Sequence, residues 1–125
     1  MIAGLLDSSI LIDALRSHVP AEHWLLTQTD LGVSQITILE LLQGARNKLD
    51  QQKTLRRLRL FQIVDTTPAD LAWAITQLER YGLSHNVGSM DCLIAATAFR
   101  LQVPLYTRNL KHFAPLLGGL AQEPY

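Results

Sequence analysis

Short apolar runs and longer amphipathic stretches take turns along this chain. Ala3 to Asp7 is a brief apolar run closed by a carboxylate, which predicts a buried strand. Ser8 and Ser9 follow, then Ile10 to Arg16, a helical stretch with a serine available as its cap. Pro20 opens a second helix through Trp24, Leu25 and Leu26, since proline suits a first helical turn. Leu31 to Ser34 predicts a second strand, and Ser34 is placed to cap a helix from Gln35 to about Lys48. A basic amphipathic helix is predicted over Asp50 to about Leu60. Phe61 to Asp65 alternates apolar and polar, the mark of a third strand. Thr67 as cap and Pro68 in the first turn start a helix that runs to Tyr81 and stops at Gly82. Leu83 to Gly88 is a loop, and Ser89 is the expected cap of a helix from Met90 to about Leu101. A strand over Val103 to Thr107 tolerates its proline near the start. A short helix around Leu110 to Leu117 breaks at Gly118 and Gly119, leaving Leu120 to Tyr125 as an edge strand.

Strands that alternate with helices in this way predict an α/β fold. Its centre is a parallel sheet of four to five strands with helices on both faces. Sites in such sheets lie beyond the carboxyl ends of the strands, near the switch in strand order. Asp7 and Thr107 both close predicted strands, so the chemistry is sought there.

Composition narrows the picture. At 125 residues, a single domain over 1–125 is expected, long enough to bury a core without disulfides. Eleven basic and eleven acidic residues give a formal net charge of zero, which excludes coating nucleic acid by bulk charge. Any such partner must meet a local patch or a metal site. One cysteine, Cys92, excludes an internal disulfide and reads as a core thiol. The opening residues carry no basic region, and no apolar run nears the roughly 20 residues that span a bilayer. A cytoplasmic protein with no membrane partner is the expectation. The four histidines lack zinc-site spacing, and no glycine-rich phosphate loop is present.

Two acids draw attention by position, and a third does not. Asp7 closes a strand, where a carboxylate either faces a crevice or serves as an N-cap or turn former before Ser8 and Ser9. Asp91 opens a helix that is apolar nearly all round, so it serves either that helix's dipole or a buried site. Glu40 is not selected by periodicity. Ile38, Leu39, Leu41, Leu42 and Ala45 make the apolar face, and Glu40 projects away with Thr37, Gln43 and Gly44. Pattern alone assigns it to solvent.

The motifs around these acids change that assignment. Leu5-Leu6-Asp7-Ser8-Ser9-Ile10 resembles the opening of PIN domains, a strand ending in aspartate and a small polar pair. Ser34 to Gly44 resembles their second motif, which carries Glu40. Met90 to Ala98 resembles the third, an aspartate opening an alanine-rich helix, and Leu105 to Phe113 resembles the last. The resemblance runs in order over nearly the whole chain and is nearest to the VapC toxins of VapBC toxin–antitoxin pairs. It implies an endoribonuclease dependent on Mg²⁺ or Mn²⁺, with Asp7, Glu40 and Asp91 as metal ligands. It also implies a homodimer, a VapB-like antitoxin and an RNA substrate such as a tRNA or ribosomal loop. Clustered carboxylates repel, and a hard divalent cation relieves that repulsion.

In the fourth motif, Asn109 and His112 occupy a segment where PIN domains often place a further aspartate. Asn109 is the stronger candidate to complete the catalytic set. His112 is expected to touch phosphate or cap the short helix, Thr107 to orient a ligand, and Ser9 to hold Asp7. Arg108 and Lys111 are candidate phosphate contacts, while Asp13 reads as a surface or paired acid. Arg46, Lys48, Lys53, Arg56, Arg57 and Arg59 form a basic stretch, either a solvated face or a surface for RNA or antitoxin. Trp24 and Trp73 are expected to pack helices on the sheet or at a subunit contact. Two other readings compete: a catalytically degenerate PIN fold that only binds, and a receiver-type phosphoacceptor domain using Asp7, Asp65 and Lys111.

Overall fold

Leu5 and Leu6 are consecutive in the first strand, so their side chains leave opposite faces of the sheet, and each seeds a separate core. The computed structural model describes residues 1–125. Its elements are β1 (Gly4–Leu6), α1 (Ser8–Leu15), α2 (Val19–Leu26), β2 (Leu31–Ser34), α3 (Gln35–Gln43) and α4 (Lys48–Leu58). After them come β3 (Gln62–Val64), α5 (Pro68–Tyr81), α6 (Ser89–Leu101), β4 (Leu105–Tyr106), α7 (Leu110–Leu117), a 3₁₀ turn (Gly118–Leu120) and β5 (Ala121–Gln122).

The five strands run in the order β3-β2-β1-β4-β5, every neighbouring pair parallel. Strand β1 is central, with Leu5 opposite Gly32 on one side and Leu105 on the other. One core joins Leu5 and Leu105 to α6 and α7 through Ile94, Ala95, Ala98 and Phe113. The other joins Leu6, Leu31 and Val33 to α1, α3 and α4 through Ile10, Leu11, Leu41 and Leu58. Both faces are therefore helix-covered, as the alternation of elements predicts. Both tryptophans pack inside the chain: Trp24 lies edge-on to Tyr106 with ring centroids 4.7 Å apart, and Trp73 stacks on Phe99 at 5.0 Å.

Several boundaries differ from the sequence expectation. The helix expected to reach Lys48 ends at Gln43, and Lys48 instead opens α4. Asn47 starts α4 from an extended conformation, its side chain accepting the Asp50 N–H at 2.9 Å. Neither Ser8 nor Ser89 caps a helix. Those N-cap positions belong to Asp7, whose side chain makes no capping bond, and to Gly88, which has no side chain to offer. Thr67 does cap α5, in a reciprocal box with Asp70. The expected tail strand shrinks to two residues.

Chain order and sheet order part at β1: the chain winds outward through β2 and β3, then returns to add β4 and β5 on the other side. Asp7, following β1, and Thr107, following β4, flank that switch. Asp65 follows the edge strand β3, two strands from β1, so it cannot share a site with Asp7. A receiver-type domain instead follows the order 2-1-3-4-5.

Candidate metal centre

Asp7 caps α1 in position only. It is 2% exposed, and its side chain turns away from the helix amides. Its Oδ2 accepts two hydroxyl hydrogen bonds, from Ser9 Oγ and Thr107 Oγ1, each 2.8 Å. The direction of both is fixed by backbone. Ser9 Oγ accepts the Arg108 N–H at 2.9 Å, and Thr107 Oγ1 accepts the Asn109 N–H at 2.9 Å. Each hydroxyl then has its own proton to give to Asp7. Two consecutive loop amides thus hold the carboxylate through two relays, and Oδ1 takes no protein hydrogen bond.

Glu40 comes from α3 and corrects the periodicity argument. Leu39, expected to face the core, is 60% exposed, while Thr37 is buried. The helix is rolled because Thr37 is satisfied inside: its N–H donates to Ser34 Oγ at 3.2 Å, and the two hydroxyls lie 3.4 Å apart. The side of Thr37 therefore faces inward, and Glu40 is half-buried beside it. Its Oε1 is enclosed with no hydrogen-bond partner. Burial pushes the Glu40 carboxyl above its usual range, the charges of Asp7 and Asp91 push it further, and a nearby Ser8 hydroxyl opposes them.

Asp91 lies in the first turn of α6. Burial and the Asp7 charge raise its carboxyl, against the pull of His112 and the Gly88 amide. His112 Nδ1 is 3.4 Å from Asp91 Oδ2. Glu40 responds to both aspartates, and Asp91 responds to Asp7, so three acids from distant parts of the chain share one field. They are not drawn into a ready-made cage, for no three acidic, histidine or cysteine side chains close to metal-binding geometry. The donor set still suits a hard cation. It is all carboxylate oxygen, burial and neighbouring negative charge raise Glu40 and Asp91 within it, and it includes an enclosed oxygen with nothing to bond.

The remaining candidates separate. Ser9 and Thr107 touch Asp7. Asn109 is exposed at the start of α7, and its backbone N–H rather than its side chain bonds within the site. It is His112 that reaches an acid. The Arg108 guanidinium is turned aside to Asp13 at 3.0 Å and Glu123 at 3.4 Å, 4.8 Å above the Tyr125 ring. Its expected phosphate contact is replaced by this network, and only its backbone N–H serves the site. Asp13 also accepts from Tyr125 Oη at 2.8 Å, a paired acid as its position suggests. Sequence reasoning passed over Ser8, since nothing in the order of residues places it beside a glutamate on another helix.

Beside Glu40 opens a groove of about 510 Å³ between α1, α3 and α4, walled in part by Arg16, Arg46, Lys53 and Asp50. The basic stretch is partly committed. Arg46 pairs with Asp50 at 2.9 Å, Arg57 with Glu22 at 2.8 Å, and Lys53 Nζ donates to the Leu15 carbonyl at 2.9 Å.

Comparison with known proteins gives three kinds of likeness. The PIN domain family profile matches residues 4–114. The chain is 35% identical over 113 residues to ribonuclease VapC10 of Mycobacterium tuberculosis, covering 87% of this chain and 84% of that protein. Among solved structures, a toxin–antitoxin complex from Klebsiella pneumoniae superposes with a TM-score of 0.82 at 27% identity, over 98% of both chains. VapBC2 from Rickettsia felis, bound to a DNA fragment from its promoter, superposes with a TM-score of 0.77 at 26% identity, over 92% of both chains.

Proposed function

The chain belongs to the PIN domain family, and from that premise we propose that it is a divalent-metal-dependent endoribonuclease, the toxin of a VapBC-type pair acting in the cytoplasm. The observation that carries this reading is the shared field of Asp7, Glu40 and Asp91, with the Glu40 Oε1 enclosed and unbonded.

Asp7, Glu40 and Asp91 would hold the ion. When bound, Mg²⁺ or Mn²⁺ would relieve the carboxylate repulsion, polarise the scissile phosphate and make a water acidic enough to attack it. Ser9 and Thr107 fix Asp7 through Oδ2 and leave Oδ1 without a protein hydrogen bond. His112 steadies Asp91 from the other side. Asn109 is left free at the rim to meet the substrate, and Arg16, Arg46 and Lys53 line a path for its phosphates. A VapB-like antitoxin would restrain the activity. The exposed apolar row Leu71, Ile75 and Leu78 on α5 supports assembly with a second copy, which a solution mass would test.

Incubation with total cellular RNA and Mg²⁺ or Mn²⁺, followed by sequencing of the cleaved ends, tests the activity. Cleavage should vanish with a chelator and in Asp7→Asn. Cleavage that survives both would overturn the reading. The lack of a preformed cage and of a fourth acid favours one alternative, a PIN fold that only binds. RNA binding without cleavage under any divalent ion would select it.

A further inference from the structure

We propose that this centre takes a single divalent ion per chain, and that His112 is the residue that sets this number while positioning Asp91. The inference rests on the metal-dependent reading above and goes beyond it in stoichiometry.

Two ions held side by side draw on more carboxylate oxygens than one, to bridge them or to serve one each. Here Asp7 Oδ2 already accepts two hydroxyl hydrogen bonds at 2.8 Å, which leaves Oδ1 alone for a metal. Asp91 Oδ2 faces His112 Nδ1 at 3.4 Å and the Gly88 amide also acts on this carboxyl, which leaves no more than one oxygen open. Glu40 contributes the unbonded Oε1. Three single oxygens suit one hard cation whose remaining positions are filled by water.

Charge leads to the same number. An imidazole is neutral or cationic and never anionic, so His112 cannot offset a second dication in the way a carboxylate there would. Nor is another acid free to supply the charge. Asp13 and Glu123 are both engaged by Arg108, and Asp13 by Tyr125 as well. Three carboxylates balance one dication with charge to spare and leave two dications underneutralised, so a second ion would be repelled.

The test is Mn²⁺ binding to the full chain, followed by electron paramagnetic resonance of the free ion. Wild-type protein should saturate at one Mn²⁺ per chain. His112→Asp should gain a second, weaker Mn²⁺. His112→Ala should keep one ion with roughly tenfold weaker affinity, as expected when a ligand loses its orienting partner. His112→Gln, which can still donate to Asp91, should recover most of that loss. Circular dichroism and melting curves verify that each variant is folded. Two ions of similar affinity on wild type, or a folded His112→Asp that still binds one, would overturn the inference and leave the nuclease reading standing. No ion at all on wild type would overturn both.

Discussion

Asp7 has one oxygen held by two hydroxyls and one left open, so its surroundings rather than its residue type fit it to be a ligand. Thr107→Val removes one of those donors with little change of shape. RNA cleavage should fall by about 10- to 100-fold in kcat with KM nearly unchanged, read from steady-state kinetics on a defined RNA. The Asn109 N–H then loses its acceptor as well, a further cost of about 1 kcal/mol in stability. The raised carboxyls make a second prediction. Folding holds Glu40 and Asp91 above their ordinary range, so these two groups keep their protons to higher pH in the native chain than in the unfolded one. Their contribution is complete below about pH 4 and is lost as pH rises through their raised values. Melting temperature in chelator should fall across that window, and Mn²⁺ should restore it. Asp70 titrates the other way. Burial pushes its carboxyl up, but Arg100 and Thr67 outweigh this and hold it low, so its contribution exists above the ordinary range and fades as pH falls. Position, at a strand end and in a first turn, singled out Asp7 and Asp91 but left a structural role open for each, and the motifs around them decided. Glu40 was legible only through the motif around it, because a threonine satisfied by its own helix cap turned the helix away from the face that Leu39 implied.

Helices α5 and α6 are joined by a polar clamp as well as by the Trp73–Phe99 stack. Asp70, 1% exposed, accepts from Arg100 Nε at 2.8 Å and from the buried Thr97 hydroxyl at 3.3 Å, and it completes the capping box with Thr67. Asp70→Ala would remove the half of the capping box that accepts the Thr67 N–H, leave the Thr97 hydroxyl without its acceptor, and leave Arg100 only the Asp65 carbonyl. A loss of about 2–3 kcal/mol is expected from urea denaturation, below the full range for a broken buried pair because Arg100 is partly solvated. Proline and threonine announced the start of α5 because their side chains fix the local backbone. The break at Gly44–Asn47 and the cap at Gly88 were not announced, since an N-cap is defined by its backbone conformation and a glycine has no side chain to mark it. The sheet was legible as alternation. Its order was not, because nothing local marks that β4 returns to the far side of β1.

The molecule as a whole carries no net charge, yet cations gather along one groove beside its acidic centre. RNA should therefore bind through few phosphate contacts. If Arg16, Arg46 and Lys53 each meet one phosphate, log affinity for single-stranded RNA against log salt should have a slope of about −2. Arg46→Gln with Lys53→Gln should flatten it to about −0.7, measured by fluorescence anisotropy with the inactive Asp7→Asn chain. The groove was not foreseeable from the basic stretch alone, because pairing with Asp50 and Glu22 ties up part of its charge. A temporal consequence lies in the contact between Thr107 and Asp7, which are 100 residues apart. During synthesis the amino-terminal half emerges first, carrying two of the three acids but not the strand that steadies the first of them. The centre is therefore incomplete on the nascent polypeptide until Asp91 and the last strands have been made and have docked.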